Sequence, residues 1–424
     1  MNRQASELLQ FFNAGVDAVK GEAAVMNALN AEPLDSELPV HVLAVGKAAD
    51  AMMRGAVTAL KKTPIRGLMI TKHNHVSNDV LALPWNQVVE SSHPVPDDSS
   101  LFAGAKCIDF VRSVPEGNEL LVLMSGGASS LLEHLIDGLQ LSDLQQLNQA
   151  LISGGLPIDS MNQVRKTVSA IKGGKLCRYI PQGVQVTQLV ISDVPNDKLS
   201  DIGSGVLAMP ESDGFAHPGE LIDSLPIALP DNLVACVSAF GVSPPAATES
   251  VWHQINSTIV GSCELAQTAV SQAATKAGMS VVQSCGSLHG DVEEIASKIA
   301  QALLDDCRTG LRIWGGETHL VLPKKPGRGG RNQHLALAIA KRIDGHKGLS
   351  VLCCGTDGSD GPTADAGGIV TGETVAKGMA LGLSIDEYLF RADAGHFLEA
   401  IDALVTTGPT GTNVMDLVVA QRHH

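Results

Sequence analysis

The chain has 424 residues, of which 44% are hydrophobic, so it holds enough apolar material for two domains. The formal net charge is −15, which repels the phosphates of a nucleic acid, and aromatic residues make up only 3%, which leaves few rings for base stacking. Both features argue against nucleic acid as a partner. No apolar run approaches the ~18 residues of a membrane span, and the cysteines lack C-x-x-C spacing, so we expect a cytoplasmic protein without a zinc ribbon.

The first half of the chain alternates short apolar runs with helical patterns. Strands are predicted at residues 40–45, 66–71, 88–91, 120–124 and 188–192, and helices at 7–19, 48–60 and 101–111. Because strand and helix alternate, the pattern predicts a mostly parallel sheet covered by helices. The basic segment 163–175 is predicted to form a helix that stops at its glycine pair.

Two strand ends of this half are candidate anion sites. Lys47 directly follows the first strand, at the carboxyl edge where open α/β sheets bind ligands, and a lysine there can neutralise a phosphate. The strand 120–124 runs into Ser-Gly-Gly-Ala-Ser-Ser at 125–130, a turn whose N–H groups can cradle an anion. The spacing is not that of a Walker A loop.

Carboxylates follow two further predicted strands. Asp193 and Asp197 come after residues 188–192, and Asp357 and Asp360 come after residues 349–354. Such residues are candidate Mg²⁺ ligands or general bases, although Asp and Gly also build ordinary turns. His93 stands in a stiff proline-rich loop, where it either bonds a substrate or supports the loop.

The region 210–245 carries six of the twenty prolines and little periodicity, so it marks the boundary between a domain at 1–240 and a domain at 241–424. Beyond it, strands are predicted at 258–261, 311–314, 320–322 and 349–354, and helices at 262–276, 295–303 and 335–343.

Glycine-rich loops of the second half hold two arginines, Arg328 and Arg331, and an acidic residue, Glu317. Guanidinium groups fit phosphate or carboxylate bidentately. Glu317 either orients a cation or caps a turn. Neither G-x-G-x-x-G after the first strand nor G-x-S-x-G is present. The residues alone therefore point to phosphoryl transfer to a small acidic substrate.

Eleven segments, taken in order, resemble the motifs of the class II glycerate kinases, also called the MOFRL family, over nearly the whole chain. They are V-G-K-A (45–48), S-S-H-P-V-P-D (91–97), S-G-G-A-S-S (125–130), M-N-Q-V-R-K (161–166), S-A-I-K-G-G-K-L (169–176), S-D-V-P (192–195), L-S-D-I-G-S-G (199–205), G-G-E-T (315–318), G-R-G-G-R-N-Q (327–333), G-T-D-G-S-D-G-P-T (355–363) and T-G-P-T-G-T-N (407–413).

The resemblance implies an α/β protein of two lobes. The N-terminal lobe would hold a Rossmann-like parallel sheet with flanking helices, and the C-terminal lobe a mixed sheet, with the active site in the cleft between them. It also implies ATP-dependent phosphorylation of D-glycerate at the 2-hydroxyl, giving 2-phosphoglycerate, with Mg²⁺ or another divalent cation. The expected partners are glycerate and a nucleotide, with no nucleic acid and no membrane, and a homodimer is compatible with the sequence.

Site roles follow from the resemblance together with the residue chemistry. We expect catalytic roles for Lys47, Arg331 and Asp193. Nucleotide binding is assigned to the serine-rich turn, through Ser125, Gly126, Gly127, Ser129 and Ser130. Substrate binding is assigned to His93, Arg165, Arg328 and Glu317, and metal binding to Asp197, Asp357 and Asp360.

The sequence departs from the family pattern in places. Asn196-Asp197-Lys198 stands where G-D-D is usual, His334 replaces a glutamate, and Ala364-Asp365 inverts the customary pair. Two alternative functions stay open: an NAD(P)H-dependent hydroxypyruvate reductase, against which the missing dinucleotide fingerprint argues, and a non-catalytic protein that binds a phosphorylated metabolite.

Overall fold

The structure is a computed structural model that describes residues 3–35, 37–209, 217–239 and 255–423. The chain divides into two compact units. Residues Ala24–Val260 form the parallel-sheet unit, and Met1–Ala23 together with Gly261–His424 form the mixed-sheet unit. The division predicted between residues 240 and 241 lies outside the described residues and stays a prediction.

The first helix, α1 (Arg3–Ala18), belongs to the mixed-sheet unit, although the predicted domain at 1–240 groups it with the first half of the chain. The Thr412 hydroxyl donates to the Val19 carbonyl at 2.6 Å, and the Gln421 amide donates to Glu7 at 3.3 Å. The amino-terminal segment is thus tied to the last residues of the chain.

The parallel-sheet unit is built on six strands in the order β3-β2-β1-β4-β5-β6, of which the first five run parallel. They are β1 (Val40–Val45), β2 (Arg66–Lys72), β3 (Asn86–Ser91), β4 (Glu119–Met124), β5 (Gln185–Ile191) and β6 (Ile255–Gly261). The sequence predicted all six. However, β6 was expected beyond the boundary, in the C-terminal lobe, whereas it lies next to β5 in this sheet.

Helices pack on this sheet, and every residue of β1 and β4 is buried. His41 and Glu119 are the two polar residues in these otherwise apolar strands. The helices of this unit are α2 (Gly21–Ala31), α3 (Ala49–Ala59), α4 (Asn78–Leu81), α5 (Asp98–Arg112), α6 (Ala128–Leu131), α7 (Leu141–Ser153), α8 (Ile158–Val168), α9 (Pro218–Asp223) and α10 (Asp231–Ser238). The last four, α7 to α10, pack against one another around an apolar cluster of their own. The predicted helix end at the glycine pair is wrong. Helix α8 ends at Val168 because Ser169 is extended and pairs with Leu135.

The mixed-sheet unit contains six strands in the order β13-β12-β11-β14-β9-β7 and a separate pair, β8 and β10. Only β7 and β9 are parallel in the larger sheet. The strands are β7 (Val281–Ser287), β8 (Gly290–Asp291), β9 (Gly310–Gly316), β10 (Thr318–His319), β11 (Leu349–Gly355), β12 (Gly367–Thr371), β13 (Leu404–Val405) and β14 (Asp416–Arg422). The expected mixed sheet is confirmed.

Six helices complete this unit: α11 (Cys263–Lys276), α12 (Val292–Asp305), α13 (Arg331–Arg342), α14 (Thr374–Ala380), α15 (Ile385–Phe390) and α16 (Ala394–Ala400).

The strand predicted at 320–322 is wrong. The ordered pairing stops at His319, Val321 and Leu322 are exposed, and Pro323 offers no N–H to a neighbour. Among the helices of the described ranges, none has the length and apolar character that a bilayer crossing requires.

Candidate active site

The turn after β1 and the turn after β4 are joined by hydrogen bonds at the carboxyl edge of the parallel sheet. The Lys47 N–H donates to the Gly126 carbonyl at 2.9 Å, and the Ala48 N–H donates to Ser125 Oγ at 3.0 Å. The two strands are neighbours, and the chain continues outward from them in opposite directions. This is the switch point at which open α/β sheets bind ligands.

Gly126 and Gly127 allow three side chains to approach this turn. A Cβ atom on Gly126 would lie 1.8 Å from Asp193 Oδ2, so no other residue fits without displacing that carboxylate. At Gly127, where φ is +84°, a Cβ atom would lie 3.0 Å from His93 Cδ2 and 3.1 Å from Lys47 Cγ. The turn therefore brings Lys47, His93 and Asp193 around one point.

Burial shifts the pKa of His93 and of Asp193, and the charge of Lys47 adds to the shift at His93 and opposes it at Asp193. Burial, followed by the charges of Lys47, Lys72 and His75, lowers the pKa of His93 to about 4. Burial raises the pKa of Asp193, and Lys47 partly opposes the rise. The imidazole is therefore neutral at pH 7, and the carboxyl group is a better proton acceptor than a solvated aspartate.

Lys72 and His75 are two contributors that the sequence reasoning missed. Lys72 is the last residue of β2 and His75 lies in the turn after it, in the run Lys72-His73-Asn74-His75; both lower the pKa of His93 through their charge. A basic run at the end of a strand adjacent to β1 is the signal that could have found them, because the ends of neighbouring parallel strands meet at one edge.

The serine hydroxyls predicted to bind nucleotide make contacts within the unit. Ser129 Oγ lies 2.7 Å from Ser204 Oγ, and Ser130 Oγ donates to the Gly127 carbonyl at 3.1 Å. Asp197 belongs to the turn after β5, where its φ of 53° is left-handed. All these residues lie at the carboxyl edge of the sheet.

Arg165 lies on α8, in the helical layer of α7 to α10. Its guanidinium donates to Asn148 Oδ1 at 2.7 Å and to Asn162 Oδ1 at 3.2 Å, and burial lowers its pKa. These bonds hold the side chain among helices. Its predicted role in substrate binding stays a prediction.

Arg331, at the start of α13 in the mixed-sheet unit, is held by two carboxylates. Its Nε and Nη2 donate to the two oxygens of Asp416, at 2.6 and 3.1 Å, and its Nη1 lies 2.5 Å from Glu317 Oε1. Burial acts to lower the pKa of Arg331, but the two carboxylates outweigh it and raise the pKa. The guanidinium is thus fixed in one plane.

Asp416 is a third residue that the sequence did not point to. It opens β14, is buried, and has its pKa raised by burial against the opposing effect of Arg331. The only sequence signal is a single carboxylate before an apolar strand. Its partner stands 85 positions earlier, so the pairing cannot be read locally.

Asp357 and Asp360, both predicted to bind metal, have different surroundings. The carboxylate of Asp360 is buried and accepts the N–H groups of Asn332 at 3.0 Å and Gln333 at 2.8 Å, so it caps the start of α13. Burial raises its pKa to about 6. Asp357 Oδ1 accepts the backbone N–H and the hydroxyl of Ser359, each at 2.9 Å. Across the described ranges, no three His, Cys or carboxylate groups converge as a metal site.

Arg328 is engaged by acidic side chains at the rim of a cavity of about 710 Å³. Its Nη2 lies 2.8 Å from Asp365 and its Nη1 2.7 Å from Glu399, while its backbone N–H donates to Asp393 at 2.8 Å. A substrate carboxylate at Arg328 would compete with two carboxylates that are already present.

Two family models match the chain. Residues 7–238 match a domain of unknown function, DUF4147, and residues 310–416 match the MOFRL family. A D-glycerate 2-kinase of Thermotoga maritima is 33% identical, over 97% of this chain and 96% of that protein. A protein of Agrobacterium vitis, named provisionally as a hydroxypyruvate reductase, is 33% identical over 89% of this chain and 97% of its own length.

Solved structures show the same fold. The crystal structure of a glycerate kinase from Thermotoga maritima superposes with a TM-score of 0.87 at 30% identity and covers all of both chains. A protein of Pyrococcus horikoshii superposes with a TM-score of 0.78 at 26% identity, over 99% of each chain. The two-unit architecture is therefore shared along the whole length.

Proposed function

Because this chain belongs to the MOFRL family of glycerate 2-kinases, we propose that it transfers the γ-phosphoryl group of ATP to the 2-hydroxyl of D-glycerate. The products are 2-phosphoglycerate and ADP. The observation that carries the proposal is the convergence of Lys47, His93 and Asp193 around the Gly126-Gly127 turn. A cation, a neutral imidazole and a carboxylate of raised pKa at one point suit the transfer of a phosphoryl group to an alcohol.

Phosphoryl transfer depends on positioning and on neutralising charge more than on covalent chemistry. The substrate oxygen forms a bond to the γ-phosphorus while the bond from that phosphorus to the leaving ADP oxygen breaks. Asp193 accepts the proton that the hydroxyl loses, since burial has raised its affinity for a proton. Lys47, next to Asp193, stabilises the negative charge on the transferred group.

The remaining predicted residues are assigned to binding. The hydroxyls and backbone N–H groups of residues 125–130 surround the nucleotide phosphates, while His93, Arg165, Arg328 and Glu317 bind or orient glycerate. Arg331 has five N–H donors, of which three are used by Asp416 and Glu317. Two donors remain for an anionic oxygen in a plane that the carboxylates fix.

A divalent cation fits the donor set of the chain only if the nucleotide supplies part of its coordination. Asp360 is used as a helix cap, whereas Asp357 keeps a carboxylate oxygen for a cation, and Asp197, considered separately within its own unit, is a second candidate ligand. Mg²⁺ commonly takes one or two carboxylates together with phosphate oxygens and water. When bound, it neutralises charge on the nucleotide phosphates.

The reductase alternative has support in the name of the Agrobacterium relative. It requires a site for a nicotinamide dinucleotide. The turn after β1 reads Gly46-Lys47-Ala48-Ala49, so a lysine replaces the small residues that let a pyrophosphate approach the backbone. That difference favours the kinase.

Product analysis tests the proposal. Purified protein is incubated with ATP, D-glycerate and Mg²⁺, and the products are resolved by phosphorus NMR. We expect 2-phosphoglycerate and ADP in equal amounts, with no ADP when glycerate is omitted and none after EDTA. The 3-phospho isomer as main product contradicts the proposal. Stoichiometric loss of NADPH absorbance with hydroxypyruvate would establish the reductase instead, and a screen of small hydroxy acids defines the substrate range.

A further inference from the structure

Three turns of the parallel-sheet unit meet at Ser204. Its hydroxyl lies 2.7 Å from the hydroxyl of Ser129, in the serine-rich turn after β4. Its carbonyl accepts the Gly173 N–H at 2.9 Å, and the next carbonyl, of Gly205, accepts the Gly174 N–H at 2.7 Å. The turns at 125–130, 169–175 and 201–205 are therefore hydrogen-bonded to one another through this residue.

The turn at 169–175 is itself anchored by a buried carboxylate. Lys172 Nζ lies 2.5 Å from one oxygen of Glu133, and the Ser169 hydroxyl donates to the other at 2.6 Å. The side chains of Lys172 and Glu133 are 3% and 0% exposed. Glu133 lies two residues after the end of α6, so the anchor and the serine-rich turn belong to one short stretch of chain. A buried charge pair of this kind fixes a single arrangement, because any other leaves a charge without a partner.

Lys175 ties the same turn to the end of α8. Its ammonium donates to the carbonyls of Lys166 at 2.6 Å and Ser169 at 2.5 Å, and Lys166 in turn donates to the Ser200 carbonyl at 2.8 Å. The segment that leads into Ser204 is thus held from both sides.

The backbone of Ser204 is strained. Its φ is 59°, and the flanking Gly203 and Gly205 have φ of 57° and 64°. Glycine adopts this left-handed conformation freely, whereas a residue with a Cβ atom does so at a cost in energy. Ser204 is 1% exposed, and its hydroxyl points at Ser129. The hydroxyl is what distinguishes this serine from the glycines beside it.

We propose that Ser204 is a positioning residue for the nucleotide phosphates: its hydroxyl donates to Ser129 Oγ and leaves the proton of Ser129 directed at a phosphate oxygen. A hydroxyl has one proton to donate and can accept at the same time, so the chain Ser204 to Ser129 to phosphate gives each oxygen a partner. The inference rests on the proposed function, because it assigns the phosphates of the nucleotide to Ser129.

The test uses Ser204→Gly, which removes the hydroxyl and relieves the left-handed strain. We expect the melting temperature to stay within a few degrees of the unaltered protein and the KM for ATP to rise about tenfold, with the KM for glycerate unchanged. Ser129→Ala should raise the KM for ATP at least as much, and adding Ser204→Gly to it should have no further effect, because both changes break the same chain.

The matched control is Thr167→Val, which removes a buried hydroxyl that donates only to its own helix, at the Val164 carbonyl, 2.7 Å away. Its kinetic constants should not change. A lower melting temperature in Ser204→Gly with an unchanged KM for ATP means a structural role and overturns the proposal. Independent, multiplying effects of the two serine changes overturn it as well.

Binding separates this inference from the proposed function. If the unaltered protein phosphorylates no glycerate, the proposed function fails, but calorimetry with a non-hydrolysable ATP analogue still tests Ser204. About tenfold weaker binding of the analogue to Ser204→Gly supports the positioning role. Equal binding by both proteins, or no binding to the unaltered protein, overturns it.

Discussion

The two units each contribute one cation predicted to act in catalysis, and they hold it in different ways. Arg331 is clamped in the mixed-sheet unit by Asp416 and Glu317, which fix its plane and oppose its charge. Lys47 stands on a turn of the parallel-sheet unit, and its ammonium forms no hydrogen bond to the described residues of that unit. The guanidinium of Arg331 is oriented by its two carboxylate partners, whereas the ammonium of Lys47 can adjust its position to that of a phosphate.

This difference separates two ways of stabilising a transition state. A guanidinium fixed in one plane presents its remaining N–H groups at defined directions and needs no reorganisation during the reaction. A lysine on a flexible stem acts as a point charge that adjusts to where negative charge grows. Removing each cation should therefore have different consequences for folding, even if the losses of turnover are alike.

The largest combined effect is expected for Arg331→Ala. Turnover should fall by about 10²–10³ in kcat because a stabiliser of developing charge is lost. Asp416 would remain buried without its partner, at a cost on the order of 3 kcal/mol in the free energy of unfolding. Steady-state kinetics and urea unfolding measure the two losses.

Arg331→Lys is the informative companion. It should recover little turnover, because an ammonium cannot replace the two parallel N–H bonds to Asp416. Normal kcat in Arg331→Ala, or full recovery in the lysine variant, contradicts the role assigned to the guanidinium.

Lys47→Ala should lose a similar factor in kcat, about 10²–10³, but keep its stability. The ammonium has no hydrogen bond in its own unit to lose, and the turn is held by backbone groups and Ser125. Kinetics are compared with Lys62→Ala, an exposed lysine of the same unit. Were Lys47→Ala to raise the KM for glycerate with kcat kept, the lysine would bind the substrate in the ground state only.

The contrast between the two cations also separates what sequence could predict from what it could not. Lys47 and the turn at 125–130 were identifiable because both directly follow buried strands, and parallel order brings such ends to one edge. Asp416 could not be identified in this way, because its partner Arg331 stands 85 positions earlier and no local sequence feature marks it.

Asp360 illustrates a different limit. Its loop, rich in Asp and Gly, is compatible with a metal ligand, a turn or a helix cap. Helix α13 decides between these roles. The N–H groups that the Asp360 carboxylate accepts belong to Asn332 and Gln333, which stand 28 and 27 positions before it in the chain. The strand predicted at 320–322 failed for a related reason: its apolar residues had the right pattern, but no neighbouring strand pairs with them. The local sequence pattern therefore predicts helices and strands well, but it does not predict which distant residues or strands they contact.

The pH response of His93 sharpens the description of the Lys47 site. Its pKa is lowered to about 4, by burial first and then by Lys47, Lys72 and His75. Between pH 4 and the ordinary value of 6.5, the folded protein binds fewer protons at this residue than the unfolded chain does. The free energy of unfolding should therefore fall as pH drops through that window. His93→Gln should show a smaller decrease.

Urea unfolding of both proteins at pH 7 and pH 5 measures this difference. Lys47, Lys72 and His75 all lower the pKa of His93, as burial does. Asp193, across the turn, has the opposite charge, and a dominant effect of its carboxylate would instead stabilise the imidazolium. An equal loss of stability in both proteins contradicts a neutral His93. In kinetics, the same assignment predicts no inflection from His93 near pH 6.5.

Arg328→Ala should give the smallest effect among the cations that are predicted to belong to the site. Asp365 and Glu399 already take both of its terminal nitrogens, so little attraction remains for the carboxylate of glycerate. We expect the KM for glycerate to rise by less than about tenfold with kcat unchanged, the pattern of a ground-state contact. The control is Arg308→Ala, which removes another arginine of this unit that is paired with an aspartate, and which should leave both constants unchanged. A loss of kcat in Arg328→Ala as large as that in Arg331→Ala would contradict this expectation. It would mean that Arg328, although paired with Asp365 and Glu399, stabilises the transition state as Arg331 is proposed to do.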